Sequence, residues 1–340
     1  MRKYNVGILG ATGAVGQEMI KVLAERDFPI ENLRLFASAR SAGKKIEFKG
    51  KEYVIEEAAK GIYKGVDILF GAVENDLAME LIPSAVEDGA VVIDNSSAYR
   101  LDDNVPLIVP EVNPEAAAKH NGIIANPNCA TIIGLVAVNE LNRHNKIKRM
   151  VVSTYQAVSG AGAGGIVELD AEIEALREGK DFEMKIFPYQ IAYNLIPQIG
   201  GFNDLGYSSE EMKFQNEGRK ILENPELRVN CTCIRVPVYR SHSESITIEF
   251  ENDMTPEEAK EVLSRAEGVK LVDDPAAKKY PMPLDTTDQD LVFVGRVRTD
   301  ISRDDKKGLT LWCCGDQVRK GAATNAIQIG ELLVKQGLIK

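Results

Sequence analysis

Short apolar runs alternate with amphipathic stretches through the first third of the chain. The apolar runs, each about as long as a buried strand, are residues 4–9, 33–37, 66–72, 90–93, 107–109 and 123–125. Helical periodicity is found at residues 17–25 and 76–87. Strands that alternate with helices predict an α/β fold with a doubly wound, mostly parallel, Rossmann-like sheet. Ligands of such sheets bind beyond the carboxyl ends of the strands, so the residues after each run are candidates for chemistry.

The rest of the chain mixes strands and helices in a less regular order. Predicted strands lie at residues 150–158, 229–236, 245–251, 269–272, 292–298 and 308–314. Helices are predicted at residues 130–141, 166–177, 255–265 and 320–336, with one more that has Ser209 as its N-cap. This pattern favours an α+β domain. We therefore predict an N-terminal domain over residues 1–128, completed by a C-terminal helix at 316–340, and a second domain over 129–315.

A glycine turn follows the first predicted strand. It reads Gly10-Ala-Thr-Gly13-Ala-Val-Gly16 and leads directly into a predicted helix. Strand, glycine turn and helix in this order match a variant of the dinucleotide fingerprint, in which the helix N-terminus meets a pyrophosphate. Glycine turns also join strands to helices for packing reasons alone, but the position directly after the first strand favours a nucleotide.

The end of the second predicted strand bears on which dinucleotide binds. An acidic residue there would accept hydrogen bonds from a ribose 2′-hydroxyl, but the sequence instead has Arg40, Ser41, Lys44 and Lys45. A guanidinium, a hydroxyl and ammonium groups suit a 2′-phosphate, so the sequence favours NADP over NAD. For the two lysines, a solvated basic loop is a serious alternative.

Cys129 lies between the short apolar run at 123–125 and the predicted helix at 130–141. A thiol in that turn faces the positive end of a helix, which lowers its pKa from ~8.5 and favours the nucleophilic thiolate. An arbitrary cysteine is more often a small buried hydrophobe. The surrounding motifs favour the nucleophile here.

His242 is the candidate acid/base, with a pKa expected near working pH. The chain has only three histidines, and the other two lie in polar stretches near helix ends. Arg235 and His242 flank a predicted turn between two strands, which we interpret as a hairpin that brings them together. A lone histidine is usually structural, so this assignment depends on Cys129.

Three further charged residues have both a functional and an ordinary interpretation. Glu210 and Lys213 are three residues apart and project from one face of a helix. This spacing alone favours the interpretation as a surface ion pair. Arg100 follows a predicted strand and is either an anion ligand or a surface residue.

The glycine-rich loop at 159–165 lacks the lysine of a phosphate-binding P-loop.

Composition narrows the class of protein. Hydrophobic residues make up 44% and charged residues 27% of the 340 residues, which is ordinary for a globular protein. The net charge of −10 disfavours nucleic acid and anionic membranes as partners. Without a leader or a long apolar run, and with five cysteines that lack framework spacing, the chain is expected to be cytoplasmic with reduced thiols. No cysteine or histidine spacing predicts a metal site.

Across almost the whole length, the chain resembles the aspartate-semialdehyde dehydrogenases. The shared motifs, in the family's order and at compatible spacing, are Gly10-Ala-Thr-Gly-Ala-Val-Gly16, Asn126-Pro-Asn-Cys129, Gln156-Ala-Val-Ser-Gly, Glu210-Glu-Met-Lys213 and Arg235-(six residues)-His242. The resemblance implies an NADP- and phosphate-dependent oxidoreductase that interconverts L-aspartate 4-semialdehyde and 4-phospho-L-aspartate. That reaction serves lysine (by way of diaminopimelate), methionine and threonine biosynthesis. It also implies a homodimer formed through the second domain, or a tetramer as in some relatives.

The resemblance also implies catalytic roles. Cys129 matches the nucleophile that forms an acyl-enzyme thioester, and His242 matches the general acid/base. Gln156 matches the glutamine that orients the substrate.

Substrate and cofactor contacts follow in the same way. Arg235 matches the clamp for the substrate α-carboxylate, Glu210 the partner of its α-ammonium, and Arg100 and Lys213 the phosphate-binding pair. The residues that match cofactor contacts are Gly10, Thr12, Gly13, Ala14, Val15, Arg40, Ser41, Ser159, Gly160 and Gln317.

Two alternatives remain at this point. One is a related acyl-phosphate reductase, such as an N-acetylglutamyl-phosphate reductase or a glyceraldehyde-3-phosphate dehydrogenase. Glu210 argues against it, because those substrates have no free ammonium group. The other is a noncatalytic NADP-binding paralogue, and the presence of both Cys129 and His242 argues against that.

Overall fold

The computed structural model describes residues 2–339, which contain thirteen strands and eight α-helices. The strands are β1 Tyr4–Leu9, β2 Ile30–Ala37, β3 Lys45–Phe48, β4 Lys51–Glu57, β5 Ile68–Gly71, β6 Val91–Asp94, β7 Ile123–Ala125, β8 Ile147–Gln156, β9 Arg228–Arg235, β10 His242–Phe250, β11 Val269–Leu271, β12 Val292–Thr299 and β13 Gly308–Gly315. The helices are α1 Ala14–Glu25, α2 Asn75–Glu87, α3 Cys129–His144, α4 Ala163–Glu178, α5 Ser209–Ile221, α6 Pro256–Leu263, α7 Pro283–Thr286 and α8 Thr324–Gln336.

The chain divides into two compact units. The first runs to Asn128 and resumes at Ala322, and the second comprises Cys129–Gly321. The return to the first unit therefore comes six residues after the predicted boundary at 315. Side chains just past that position belong to the second unit, because Gln317 Oε1 accepts a hydrogen bond from the Ser241 backbone N–H at 2.7 Å.

A seven-stranded sheet forms the centre of the first unit, in the order β3-β4-β2-β1-β5-β6-β7. All neighbours are parallel except the β3–β4 pair, so the predicted doubly wound sheet is confirmed. From β1 the chain moves outward in one direction to β2 and in the other to β5. The carboxyl end of β1 is therefore the topological switch point, where ligands of this architecture bind. Residues 107–109 add only one bridge, between Leu107 and Ala125, and form no full strand.

The closing helix α8 packs within this first unit. Its Ile327 and Leu333 are fully buried in the same core as Phe70 of β5. A Cβ on Gly330 would lie 2.9 Å from the Phe70 ring, so the missing side chain allows close approach of α8 to the sheet. The amphipathic pattern at residues 320–336 thus predicted a helix whose apolar face completes the first core.

The β3–β4 hairpin was not predicted from the sequence. Its strands are rich in lysine and glutamate, and Lys45 Nζ pairs with Glu52 Oε2 across them at 2.6 Å. The two-residue turn is Lys49-Gly50, with φ of 48° and 76°, which is the left-handed geometry that suits the twist of a hairpin. The ion pair supports the ordinary interpretation of Lys45, as part of an exposed basic segment.

A six-stranded mixed sheet, in the order β11-β12-β13-β10-β8-β9, organises the second unit. Strand β8 lies between β9, to which it is parallel, and β10, to which it is antiparallel. The predicted hairpin at 235–242 is therefore wrong, because that connection passes from β9 across the end of β8 to reach β10. Helices α3, α5 and α6 pack in the same unit and complete the α+β arrangement.

Between residues 2 and 339, no helix is both long enough and apolar enough to cross a membrane.

Candidate active site

Three polar side chains line one edge of the second sheet. Arg235 ends β9, Gln156 ends β8 directly opposite it in register, and His242 begins β10 on the other side of β8. Residues that neighbour one another in register share a face of the sheet. We call this set of Arg235, Gln156 and His242 the edge row. All three side chains are buried.

Cys129 is the first residue of α3, and its sulfur faces the edge row. Its Sγ lies 3.4 Å from His242 Nε2, although 113 residues separate the two. Cys129 is only half-buried, whereas the other four cysteines are buried. A Cβ on Gly321 would lie 2.9 Å from the Cys129 Cβ, so a larger residue at 321 would push the thiol aside. The structure thus places a reachable sulfur at a helix start, beside an imidazole.

The tautomer of His242 follows from its other ring nitrogen. The backbone N–H of Ala157 donates a hydrogen bond to His242 Nδ1 at 3.1 Å. An Nδ1 that accepts a hydrogen bond carries no proton, so the proton of the neutral ring lies on Nε2. Nε2 is the atom that faces the Cys129 sulfur. With this tautomer the imidazole presents an N–H donor to that sulfur. Gln156 Nε2, which lies 3.3 Å from the same ring nitrogen, then donates to Glu210 Oε1 and not to the ring.

Burial keeps His242 uncharged. Desolvation of the fully buried ring, reinforced by the positive charge of Arg235 and opposed by Glu210, lowers its pKa from 6.5 to about 3. The expectation that this pKa lies near working pH is wrong. The sequence shows that a histidine is present, but it does not show that the ring is removed from water.

Arg235 is fixed by the backbone of Ala157, the residue that also binds His242. Its Nη1 donates to the carbonyl oxygen of Ala157 at 2.6 Å, and its guanidinium lies over the Phe187 ring at 6.0 Å. Burial lowers its pKa, but a guanidinium remains a cation at neutral pH. A Cβ on Gly160 would lie 2.6 Å from Nη1, so this glycine packs directly on the arginine. The arrangement provides a fixed, desolvated positive charge for an anionic group.

A chain of hydrogen bonds connects Gln156 to helix α5. Thr154 Oγ1 donates to Gln156 Oε1 at 3.0 Å, and Gln156 Nε2 donates to Glu210 Oε1 at 3.2 Å. The second carboxylate oxygen of Glu210 accepts from Lys213 Nζ at 2.9 Å. The ion pair that the spacing favoured is therefore present. It is not an ordinary surface pair, because Glu210 is buried and contacts the edge row.

Local sequence explains how α5 presents Glu210. Ser208, and not the predicted Ser209, is the N-cap, and it forms a capping box with Glu211. The Ser208 backbone N–H donates to Glu211 Oε2 at 2.6 Å, and Ser208 Oγ accepts from the Glu211 N–H at 3.4 Å. This reciprocal cap fixes the first turn of the helix, so the direction of Glu210 is set before any ligand binds.

The predicted cofactor contacts fall into two groups. Ser159, Gly160 and Gln317 lie in the second unit, where the Gln317 side chain connects the Ser159 hydroxyl to the Ser241 backbone. The others lie in the first unit, at the glycine turn of residues 10–16 and at the end of β2.

The glycine turn lies at the switch point at the end of β1. Gly10 has φ of 89°, and a Cβ there would collide with the Ala72 carbonyl oxygen. A Cβ on Gly16 would collide with the Gly10 carbonyl, but one on Gly13 would only contact that oxygen at 3.4 Å. Thr12, Gly13 and Ala14 are exposed. The turn thus offers open backbone at the start of α1, which fits a dinucleotide pyrophosphate.

At the end of β2, Arg40 is exposed and Ser41 is buried. The Ser41 backbone N–H donates to the Ser38 carbonyl at 2.8 Å in a tight turn. Of these two residues only Arg40 is exposed, so its guanidinium is accessible to a ligand.

Arg100 belongs to the first unit and Lys213 to the second. Arg100 is buried, and its guanidinium donates to the carbonyl oxygens of Asn126 at 2.9 Å and Asn95 at 2.8 Å. These bonds fix its orientation after β6. It is a built-in positive charge and not the surface residue that its sequence context also allowed.

Sequence reasoning missed three contributors to this site. Thr154 orients Gln156 through its hydroxyl, Ala157 binds both His242 and Arg235 through its backbone, and Gly321 makes room for Cys129. The sequence could have indicated Thr154, because it lies two residues before Gln156 on a predicted strand and therefore on the same face. A backbone contact such as that of Ala157 leaves no trace in residue type. Within residues 2–339, no three His, Cys, Asp or Glu side chains gather as metal ligands.

Comparisons with known proteins agree with this geometry. Residues 5–120 match the family profile described as "Semialdehyde dehydrogenase, NAD binding domain", and residues 139–320 match "Semialdehyde dehydrogenase, dimerisation domain". An aspartate-semialdehyde dehydrogenase of Aquifex aeolicus is 51% identical over 340 residues, which cover 99% of each chain.

Solved structures give the same result. Aspartate semialdehyde dehydrogenase II of Vibrio cholerae, complexed with ASA, has 44% sequence identity and a TM-score of 0.96 over 98% of this chain and 99% of that one. A Candida albicans aspartate semialdehyde dehydrogenase with NADP has 27% identity and a TM-score of 0.78 over 99% of this chain and 100% of that one. The resemblance seen in the sequence motifs is confirmed, and the chain belongs to the aspartate-semialdehyde dehydrogenase family.

Proposed function

We propose that this protein catalyses the reversible NADP- and phosphate-dependent oxidation of L-aspartate 4-semialdehyde to 4-phospho-L-aspartate. The observation that carries the proposal is the Cys129 sulfur, 3.4 Å from His242 Nε2, beside a buried arginine and a buried glutamate. A nucleophile, a hydrogen-bond donor, a cation and an anion are the groups that a small zwitterionic aldehyde requires.

In the oxidative direction the Cys129 thiolate attacks the aldehyde carbon, and the carbonyl oxygen becomes an oxyanion on that carbon. The His242 Nε2–H donates to the sulfur before attack and to the oxyanion after it. A neutral imidazole that donates in this way stabilises the developing charge without giving up its proton. We therefore assign His242 the role of donor to the sulfur and to the oxyanion, and the family resemblance implies that it also serves as the general acid/base.

Two further steps complete the reaction. A nicotinamide held by the proposed cofactor contacts would accept the hydride from this carbon, which would leave a thioester on Cys129. Hydrogen phosphate attacks the thioester carbon, the carbon–sulfur bond breaks, and the thiolate is restored as one proton is released. Gln156, held between Thr154 and Glu210, orients the substrate beside the sulfur.

Charge complementarity supports the substrate assignment. Arg235 suits the α-carboxylate, because its guanidinium donates to the Ala157 carbonyl through Nη1 and has further N–H groups for a carboxylate. Glu210 suits the α-ammonium. Arg100 and Lys213 supply the positive charge for phosphate. N-acetylated or glycerol-based substrates have no cation for Glu210, which disfavours the related reductases.

The NADP assignment is supported by Arg40, which is exposed at the end of β2 and can meet a 2′-phosphate. The Candida albicans relative was solved with NADP. Gly10, Thr12, Gly13, Ala14, Val15 and Ser41 complete the proposed contacts of the first unit, and Ser159, Gly160 and Gln317 those of the second.

A homodimer formed through the second unit is part of the proposal. Large apolar side chains are exposed along one irregular segment of this unit, at Tyr189, Tyr193, Leu195, Phe202 and Leu205. Exposed apolar groups of this size are typical of protein interfaces. The match to a dimerisation-domain profile covers the same residues. Light scattering on the purified protein measures the oligomeric state.

The metabolic assignment follows from the substrate. The reaction would serve lysine, methionine and threonine biosynthesis in the cytoplasm. The five cysteines are free thiols, a state that a reducing compartment maintains.

A direct assay tests the proposal. Purified protein should form NADPH from NADP when given aspartate semialdehyde and phosphate, and arsenate or phosphate should be required for turnover. N-acetylglutamate semialdehyde and glyceraldehyde 3-phosphate serve as matched control substrates. Equal rates with either control would contradict the substrate assignment, and no NADPH with any of them would favour the noncatalytic paralogue.

A further inference from the structure

Glu244 is a buried carboxyl group that the proposed reaction does not use. It is fully buried near the start of β10, and neither carboxyl oxygen has a hydrogen-bond partner among the described residues. An unpartnered buried polar group is costly and calls for a reason. Glu244 lies two residues after His242 on the same strand and therefore on the same face of the sheet.

The surroundings of Glu244 lie one row beneath the edge row. In register, Glu244 faces Thr154 of β8 on one side and Cys313 of β13 on the other, and Cys233 lies beyond Thr154. Desolvation, with a smaller contribution from Cys233, raises the pKa of Glu244 well above 4.5. Burial therefore favours the protonated, uncharged form of the carboxyl group, and glutamine has nearly the same shape as that form.

Helix α3 contacts the same carboxyl group. A Cβ on Gly134 would lie 2.6 Å from Glu244 Oε2 and would also overlap the Phe214 ring. Glycine at 134 therefore leaves a recess in α3 that the Glu244 carboxyl occupies. Any side chain at 134 would drive α3 away from β10.

Two separate contacts thus join α3 to the start of β10. His242 Nε2 lies 3.4 Å from Cys129 Sγ. The Glu244 carboxyl group lies against Gly134, five residues further along the helix. Together they are two fixed points between one helix and one strand.

We propose that Glu244 is a positioning residue for the reaction: its carboxyl group, seated against Gly134, sets the depth of α3 on β10 and with it the distance between Cys129 Sγ and His242 Nε2. This inference deepens the proposed function, since the sulfur and the imidazole are its reacting pair. Chemical contact between Glu244 and the substrate is not part of it.

The experiment compares three variants of the full-length protein. Glu244→Gln keeps the shape of the neutral side chain, Glu244→Asp withdraws the carboxyl by one methylene, and Glu244→Ala removes it. Glu249→Ala is the matched control, since Glu249 lies on the same strand but is half-exposed and pairs with Arg303. Each variant is measured for kcat, for KM, and for the rate at which iodoacetamide alkylates Cys129.

We expect Glu244→Gln and the control to retain wild-type kcat and alkylation rate within a factor of two to three. Displacement of a reacting group by about 1 Å costs roughly 100-fold in rate, so Glu244→Ala should lose about that much kcat, and Glu244→Asp less. KM should change little. The alkylation rate should fall in the same order, since the sulfur leaves its N–H donor.

Two results would overturn the inference. A folded Glu244→Ala or Glu244→Asp protein with wild-type kcat and alkylation rate would show that the contact does not position the thiol. Equal losses in Glu244→Gln and Glu244→Ala would show that the acidic proton, and not the shape, is needed. Alkylation needs no turnover, so it tests the positioning even if the wild-type protein fails the dehydrogenase assay. Glu244→Gln and Glu244→Asp keep the experiment decisive if truncation to alanine prevents folding.

Discussion

The glycine turn of the first unit and the edge row of the second prepare for their ligands by opposite means. The turn at residues 10–16 leaves side chains out, so that exposed backbone at the start of α1 can approach a phosphate. The edge row buries Arg235, Gln156 and His242 and fixes each with hydrogen bonds. The first kind of site is formed by consecutive residues, so its geometry depends little on the rest of the fold. The second depends on three strands and a helix all being correctly placed.

Removal of the nucleophile should have the largest effect. Cys129→Ser should fold and bind NADP but lose turnover by at least about 10³-fold, because a hydroxyl beside a neutral imidazole donor is a poor nucleophile. Steady-state assays measure the loss, and dye displacement measures NADP binding. Cys231→Ala, which removes a buried thiol, is the control. Substantial activity in Cys129→Ser would refute the assignment of the sulfur.

Glu210→Ala should have the next largest effect. It tests the second kind of site, in which buried side chains bind the ligand. Loss of the carboxylate leaves the substrate ammonium unpaired, which should raise KM for aspartate semialdehyde by about 10- to 100-fold. Asn216→Ala, on the same helix, should leave KM unchanged. An unaltered KM in Glu210→Ala would contradict the proposed substrate, whatever happens to kcat.

Two glycine variants separate fold from ligand at the turn. Gly16→Ala places a Cβ on the Gly10 carbonyl and should destabilise the protein by about 1–3 kcal/mol in urea unfolding. Gly13→Ala should leave stability within about 0.5 kcal/mol, because its Cβ only touches that oxygen, but should weaken NADP binding. If both variants unfold alike and bind NADP alike, the turn has no separate ligand role.

The smallest effect concerns pH. His242 binds its proton with a pKa of about 3 when folded and near 6.5 when unfolded, so between these values the unfolded state binds more protons. As pH falls through this window, His242 should therefore reduce stability by about 1.4 kcal/mol per pH unit, and it should have no effect above 6.5. Urea unfolding from pH 7 to 5 should show wild type losing stability faster than His242→Asn. Parallel curves would show that the ring is not buried in solution.

Sequence patterns predicted the parts of this molecule that are local. Strand–helix alternation predicted the doubly wound sheet, and the glycine turn was recognisable because its geometry depends on seven consecutive residues. The Lys49-Gly50 hairpin turn was readable but missed, because the strands around it are charged and do not alternate clearly.

The edge row was beyond local reasoning. Cys129 and His242 were paired through family resemblance, since no spacing rule connects residues 113 apart. The insertion of β8 between β9 and β10 is a matter of strand order, which periodicity does not specify. The depressed pKa of His242 depends on burial by distant residues, and the N–H of Ala157 that selects its tautomer belongs to every residue type but proline.

The contrast among the five cysteines has a practical consequence. Burial raises the pKa of Cys313, and of Cys314 to about 12, while contact with Cys233 and burial raise that of Cys231. All four of the other thiols are buried, whereas Cys129 is half-buried. A soft electrophile added briefly to the native enzyme would therefore label one sulfur per polypeptide. Mass spectrometry of the intact protein would then give the fraction of molecules in a preparation whose Cys129 is reactive. A covalent inhibitor directed at Cys129 would not have to discriminate against the other four cysteines of the chain.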